Sequence, residues 1–354
     1  MDHKILILTG KKKFFGQTRK PWVSMDVERI CSELKKYGYD TEVHPFYEVV
    51  NQTEPLNDRI IFYSFSQRDN ERQYIRDLIY YLDNGTNLII PCYELLKCHE
   101  NKGYQELYRK TLELEGPESL YFSSYKEMEG YELNFPLILK STSGSNGQGV
   151  YRAENRKELI KLIKQLRKQN LLTQLDLIRR RYFRREKQYP HYPDYSNATD
   201  YQQYRDYVRR EQNFVLQEFI PGLEFDYRVL IIFDRYYVGK RFTRPGEFRA
   251  SGAKLYNFKH EDIPSGLLDY AESVYNKFDT PFLSIDIGCR EDKYYLFEFQ
   301  VLHFGLNVII KNKGYFLRKE DNWELITAEN RIEQEIAYGL SRFLNEKLKV
   351  NEAV

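Results

Sequence analysis

A mixed α/β fold, with a parallel sheet first and antiparallel strands later, is predicted for this 354-residue chain. Three observations predict it. The first hundred residues alternate apolar runs with amphipathic ones, a βαβ rhythm that gives a parallel sheet flanked by helices. A strand ending in a lysine, Phe135-Pro136-Leu137-Ile138-Leu139-Lys140, then enters a Gly/Ser loop and is followed by a second apolar run. Finally, apolar segments at 225–242 and 282–302 are each broken once by a polar turn, the pattern of two hairpins.

In chain order, residues 4–9 read as a buried strand followed by a basic loop at 10–21. Ser24 is placed to cap a helix running to about residue 37, with Val27, Ile30, Cys31 and Leu34 at helical spacing and Gly38 as its stop. Strands are expected at 41–45, 59–65 and 87–91, and a helix at 71–82. A helix over 101–114 stops at Gly116-Pro117, and another covers 154–169, with Leu159, Ile160, Ile163 and Leu166 on one face. Residues 171–210 differ in kind. Arg179-Arg180-Arg181, Arg184-Arg185 and many tyrosines make them an insertion, helical at both ends around a Pro-marked turn, that suits either an anionic, ring-bearing partner or a solvated arm or dimer contact. A strand-rich block opens at Phe214. Its hairpins at 225–233/236–242 and 282–288/294–302 flank a helix at 265–278, and a terminal helix is expected at 328–348.

The length calls for two or three subdomains. Lys and Arg total 54 against 52 Asp and Glu, so nothing global points to nucleic acid. Cys31, Cys92, Cys98 and Cys289 have no CxxC spacing. The pair Cys92 and Cys98, near His99, is the one thiol group worth weighing as a metal site, with idle thiols as the alternative. The apolar run 5–8 is too short for a membrane span or a signal peptide, and a cytoplasmic protein is the expectation.

The segment Ser141-Thr142-Ser143-Gly144-Ser145-Asn146-Gly147-Gln148-Gly149 carries the first chemistry. Glycines and small side chains let backbone N–H groups close on phosphate oxygens, and Lys140 adds a point charge beside them. The lysine precedes the glycines, the reverse of a Walker A loop. The segment is either an ordinary hairpin turn or a flap over a nucleotide.

Six landmarks, in order, resemble those of the ATP-grasp enzymes over roughly residues 5–345. They are Asn101-Lys102 with the Gly116-Pro117 turn; Lys140; the loop from Ser143 to Gly149; Gln217-Glu218-Phe219-Ile220 with Glu224; Arg228, Lys240, Arg241, Arg244 and Arg249; and Asp286 with Glu298-Phe299-Gln300. The resemblance implies an N-terminal α/β domain over 1–117, a flap subdomain over 118–213 carrying the insertion, and a C-terminal antiparallel subdomain over 214–354, with ATP between the last two. It implies that Lys102, Lys140, Lys240 and the loop residues Ser143, Gly144, Ser145, Asn146, Gly147 and Gly149 bind phosphates. Gln217, Glu218, Phe219 and Ile220 would hold the adenine edge, and either Glu224 or Asp226 the ribose. Arg228, Arg241, Arg244 and Arg249 would act as catalytic cations near the γ-phosphate. Lys102 alone also reads as a solvated helix residue, and Arg244 and Arg249 as loop charges.

The metal set stands on chemistry as well. Mg²⁺ takes hard oxygen ligands and shares them with phosphates. Asp286 and Glu298 fall near facing positions of a predicted hairpin, and Glu298 and Gln300, two apart, leave the same face of one strand. The family's usual asparagine is Gln300 here, and its following Pro-Gly turn is replaced by His303-Phe304-Gly305-Leu306-Asn307.

The resemblance implies ATP as cosubstrate, one or two Mg²⁺ ions with Mn²⁺ as a substitute, and ligation of a carboxylate to an amine through an acyl phosphate. The stretch from Arg244 to Gly252 is similar to a loop of the ribosomal-protein-modifying amino-acid ligases and of ATP-grasp proteins from surface-polysaccharide clusters. That points to an amino acid, a peptide or a sugar acid, phosphorylated or sugar-linked forms included. A kinase of small hydroxyl compounds and a non-catalytic nucleotide-binding module are the alternatives, and a homo-oligomer stays open.

Overall fold

The computed structural model describes residues 4–16, 20, 23–66, 68–144, 147–166, 171–183, 193–208, 212–244, 246–250 and 255–352. They form two compact units, Met1–Pro117 with Pro221–Val354, and Glu118–Ile220.

The larger unit opens with β1 (Lys4–Thr9), α1 (Val27–Lys36), β2 (Asp40–Pro45), α2 (Phe46–Val50), β3 (Ile60–Tyr63), α3 (Asp69–Leu82), β4 (Leu88–Ile90), α4 (Tyr93–Cys98) and α5 (Lys102–Thr111). The strands pair in parallel in the order β2-β1-β3-β4. Ile5, Leu6, Ile7 and Leu8 of β1 are all buried, the unbroken apolar run of a strand covered on both faces. Asp26, not Ser24, caps α1: its carboxylate accepts from the Arg29 N–H at 3.0 Å. Ser24 instead accepts from the Phe15 N–H at 2.9 Å, so it fixes the preceding loop and is not available to the helix.

The smaller unit contains β5 (Ser119–Phe122), β6 (Leu137–Ser141), β7 (Val150–Ala153), α6 (Arg156–Leu166), α7 (Leu171–Tyr182), α8 (Ala198–Val208) and β8 (Phe214–Glu218). Its antiparallel sheet runs β5-β8-β6-β7. The sequence reading opened a new block at Phe214, but β8 pairs between β5 and β6. The reason is burial: Phe214 and Leu216 complete the core that Leu139, Ala153, Leu159 and Ile163 build under α6. Helices at both ends of the 171–210 insertion match the expectation, while Arg184, Arg185 and the Pro-marked turn near 189–192 lie outside the described residues.

The chain then returns to the larger unit through β9 (Phe225–Ile232), β10 (Arg235–Phe242), β11 (Tyr256–Asn257), α9 (Ser265–Tyr275), β12 (Phe282–Arg290), β13 (Lys293–Gln300), α10 (Asn307–Lys311), β14 (Gly314–Lys319), β15 (Asn322–Thr327) and α11 (Ile332–Glu352). Their antiparallel sheet runs β13-β12-β9-β10-β14-β15, with β11 on β10. One face is apolar along its length: Tyr227, Val229, Ile231, Leu283, Ile285 and Ile287 pack with Leu267, Leu268, Ala271 and Val274 of α9. The other face is divided. Leu230, Ile232, Tyr237 and Phe282 join Val308, Ile309, Ile336 and Leu340 in a second core. One turn of the pleat further along, the same face becomes polar. No helix among the described residues is long and apolar enough to cross a membrane.

Candidate active site

Alternation along β9 puts Asp226 and Arg228 on the divided face, beyond Leu230 and Ile232. Register does the rest. Arg228 lies opposite Asp286 of β12, Asp286 lies opposite Glu298 of β13, and Asp226 lies opposite Arg241 of β10. Ser284 and Gln300 face each other in the next row. Residues directly opposite across antiparallel strands share a face, so Asp226, Arg228, Arg241, Ser284, Asp286, Glu298 and Gln300 form one polar patch. The expected facing of Asp286 and Glu298 is a register pair. A bulge follows it, where Ile287 pairs with Leu296 and Phe297 is the extra residue. Gly288 accommodates that bulge, because a Cβ there would meet the Phe297 ring at 2.5 Å.

The patch is held by ion pairs. Arg228 donates through Nε and Nη2 to both oxygens of Asp286, each at 2.8 Å. Arg241 donates through Nε and Nη2 to both oxygens of Asp226, each at 2.6 Å. The same Nη2 of Arg241 lies 2.9 Å from Asp286 Oδ2. Burial opposes the charge on Asp286, but Arg228 and Arg241 outweigh it and hold its carboxyl well below the usual carboxylate range. On Asp226 burial prevails over Arg241, and its carboxyl is raised. Burial likewise disfavours the charge on Arg241, yet Asp286 and Asp226 keep it more firmly protonated than a free arginine.

Lys102 reaches this patch from α5. Asn101 caps the helix by accepting from the Tyr104 N–H at 3.2 Å, which makes Lys102 its first residue. Lys102 is 8 % exposed, and its Nζ lies 4.0 Å from Glu298 Oε1. It is thus a buried partner of a candidate metal ligand, not a solvated helix residue. Gln300 donates its Nε2 to the same Glu298 oxygen at 3.2 Å. At the far end of α5, Arg109 pairs with Glu106 at 2.8 Å and donates to the Pro117 carbonyl at 3.0 Å, which ties the Gly116-Pro117 stop to the helix.

Other candidates take different places. Lys240 is next to Arg241 on β10 and therefore faces the opposite side, where its ammonium sits 3.9 Å from the Phe225 ring centroid. Arg244 is exposed, and Arg249 pairs with Glu247, two residues before it, at 2.8 Å. Glu224 is exposed just before β9, and its carbonyl accepts from the Thr243 N–H at 2.9 Å. Pro245, Ser251 and Gly252 lie outside the described residues.

The smaller unit carries the remaining candidates. β6 and β7 form the antiparallel pair expected of a flap. Leu137 and Leu139 face the core beneath α6, so Ile138 and Lys140 face the other way. Gln217 lies opposite Ile138 and so shares that face with Lys140. Both are largely buried. The loop closes tightly: Ser141 donates its N–H to the Gly149 carbonyl at 2.7 Å and its hydroxyl to the Ser143 carbonyl at 2.6 Å. Gly149, at φ +72°, is required there, because a Cβ would lie 2.0 Å from Ser141 Oγ. Gly144 and Gly147 also have positive φ, while Ser145 and Asn146 lie outside the described residues. Glu218 is exposed, Ile220 is buried, and Phe219 lies under the Arg152 guanidinium at 4.3 Å.

Sequence reasoning missed the bond between Asp226 and Arg241. Its signal was an Asp-x-Arg facing a Lys-Arg across a hairpin, and it needed the register to be read. Among the described residues no group of three or more His, Cys, Asp and Glu is arranged for a metal, and burial pushes the Cys92 thiol up to about 11.

No family model matches the sequence, and no curated protein matches it. Solved structures do. D-cycloserine synthetase DcsG is similar with a TM-score of 0.52 and 9% identity, over 96% of this chain and 99% of its own. The ATP-grasp ligase PsnB complexed with minimal precursor gives 0.51 and 11%, over 97% and 100%. The Chryseobacterium gregarium RiPP-associated ATP-grasp ligase in complex with ADP, and a leader and core peptide, gives 0.50 and 11%, over 97% of both chains. The likeness is one of fold: this chain has the ATP-grasp fold that its six landmarks predict.

Proposed function

We propose that the protein is an ATP- and Mg²⁺-dependent ligase that joins a carboxylate to an amine through an acyl phosphate. The observation that carries this reading is the row Glu298–Asp286–Arg228, with Gln300, Arg241 and Lys102 around it. Phoshoryl transfer is largely positioning and charge neutralisation, and this group supplies acids for a metal and cations for phosphoryl oxygens.

Asp286, Glu298 and the amide oxygen of Gln300 suit Mg²⁺, being hard oxygen donors on facing and alternate positions of one hairpin. When bound, Mg²⁺ would offset the charge that builds on the transferring phosphoryl group. Lys140 and the backbone of the 143–149 loop would bind the phosphates, with Gln217, Glu218, Phe219 and Ile220 along the adenine edge. Glu224 is favoured for the ribose, because both oxygens of Asp226 are taken by Arg241. Arg228 and Arg241 would neutralise the γ-phosphate while a substrate carboxylate oxygen attacks it and ADP leaves. An amine then attacks the acyl carbon and phosphate departs. Lys240 has no role in this reading, since it faces away from the patch.

The fold neighbours include a ligase bound to a leader and core peptide. Peptides, amino acids and sugar acids are therefore the pools to test. Incubated with ATP, Mg²⁺ and pooled acids and amines, the protein is expected to form ADP and free phosphate in equal amounts only when both pools are present. A phosphorylated product without free phosphate would instead indicate a kinase.

A further inference from the structure

The metal-binding acids of this reading already have counter-ions supplied by the chain. Both oxygens of Asp286 accept from Arg228, and Oδ2 also lies 2.9 Å from Arg241. Glu298 has Lys102 at 4.0 Å, and Gln300 turns its amide nitrogen, not its oxygen, toward it. Counting Asp226, three carboxylates face three cations: Asp226, Asp286 and Glu298 against Arg228, Arg241 and Lys102. Among these six groups the formal charges cancel.

Resting on the ligase reading, we propose that Arg228, Arg241 and Lys102 are resident counter-ions that close the Asp286–Glu298 site to a free divalent cation, so that metal binds only together with the nucleotide. A bare cation meets carboxylates that are already neutralised. To gain Asp286 it must break a two-point guanidinium–carboxylate pair, leaving the half-buried Arg228 without its anion and Arg241 with Asp226 alone, a costly arrangement. A nucleotide changes the balance. Its phosphates bring more than enough negative charge to take the guanidinium and ammonium groups, and guanidinium pairs phosphate as readily as carboxylate. Asp286 and Glu298 are then released toward the metal, and the Gln300 amide turns to present its oxygen. Arg241 is the pivot, because Asp226 keeps hold of its Nε while its contact with Asp286 is exchanged.

Mn²⁺ is the probe, followed as Mn²⁺ retained with the protein in equilibrium dialysis, with and without a non-hydrolysable ATP analogue present on both sides of the membrane. The wild-type protein is expected to take up Mn²⁺ at this site only with the analogue. Lys102→Gln and Arg241→Gln should each tighten nucleotide-free Mn²⁺ binding by on the order of tenfold to a hundredfold, since each removes a unit charge a few ångströms away. Asp286→Asn, combined with either change, should abolish that gain. Should Arg241→Gln fail to fold, Lys102→Gln and the wild-type measurement decide. Equal Mn²⁺ affinity of the wild type with and without the analogue would overturn the proposal, as would folded variants with unchanged nucleotide-free binding. A wild type that binds the analogue and Mn²⁺ independently would leave the ligase reading standing and sink only this one. A wild type that binds neither would sink both.

Discussion

Arg228 and Arg241 on the sheet of the larger unit and Arg179, Arg180 and Arg181 on α7 are two arginine groups of similar density in different surroundings. On the sheet, Arg241 has a side chain only 3% exposed and divides itself between the half-buried Asp226 and the buried Asp286. On α7, Arg179 is 62% exposed and shares Asp176 with Arg180, a single hub that also accepts from the Tyr204 hydroxyl at 2.7 Å. Arg180 and Arg181 lie over Tyr204 and Tyr201 at 4.3 and 4.5 Å. Cation density therefore does not by itself mark an anion site. On the helix, local i,i+3 and i,i+4 partners and rings occupy the arginines, and pairs of that kind are worth little. On the sheet, the pairs join three strands and are largely shielded from water, where exchanging one anion for another has a large effect.

The largest effect is expected at Asp286. Asp286→Asn should reduce ATP turnover by at least about three orders of magnitude, since it removes a proposed metal ligand, the anion of Arg228 and one of the two anions of Arg241. It should also lower the unfolding free energy by about 3 kcal/mol, the usual cost of leaving a buried charge unpaired. Urea denaturation and ADP release, measured on one preparation, separate the two losses. Turnover close to normal would break the contrast with α7 outright.

Next come the lysines. Lys140→Ala and Lys102→Ala should each raise the Michaelis constant for ATP by about tenfold to a hundredfold, the value of a charge-assisted contact. A solvated Lys102 would give no change, so equal losses would sharpen the assignment of its burial to function. Steady-state kinetics at saturating second substrate would reveal which holds.

A smaller effect is expected at the hub of the arm. Burial opposes the charge of Asp176, but the Tyr204, Arg180 and Arg179 hydrogen bonds prevail and lower its pKa to about 2. A depressed carboxylate contributes stability above its unfolded pKa, near 4, and loses it as pH falls toward 2. Asp176→Asn should cost about 1 kcal/mol at neutral pH and flatten the loss of stability between about pH 4 and pH 2. Thermal melts across that range would test it, and an unchanged acid profile would show that the hub is not formed.

The smallest effect on nucleotide kinetics is expected from replacing Arg179, Arg180 and Arg181 together with Gln. The Michaelis constant for ATP should stay within about twofold of the wild type, a change of a few tenths of a kcal/mol. A large change would make the arm part of the nucleotide site and erase the comparison. A rise confined to the acceptor would assign the arm to substrate, and dissociation of an oligomer would assign it to assembly.

Much of this was legible in the sequence because it depends on local period. The βαβ rhythm, the flap strands flanking the Gly/Ser loop, and both long hairpins follow from apolar alternation and turn residues. Asp286 and Glu298 could be set near facing positions by counting from the turn between them, but their direct pairing needs the bulge at Phe297, which local period does not show. The opposed faces of Lys240 and Arg241 are equally readable, since neighbours in a strand diverge. Other features depend on contacts distant in sequence. Phe214–Glu218 looked like the start of a new block because nothing local shows that it will insert between Ser119–Phe122 and Leu137–Ser141. Lys102 meets Glu298, a residue nearly two hundred positions away. The short hairpin of β14 and β15 went unassigned, its residues mostly half-buried or exposed and so weakly patterned.

The most direct test of the ligase reading follows oxygen. Once a carboxylate that supports ADP formation has been found, it is labelled with ¹⁸O and the released phosphate is examined by mass spectrometry. An acyl phosphate requires one carboxylate oxygen to leave with the phosphate, so the expected result is one ¹⁸O atom transferred per phosphate formed and per amide made. Amide formed alongside fully unlabelled phosphate would contradict the reading, because the carboxylate oxygen would then never have been bonded to the γ-phosphorus.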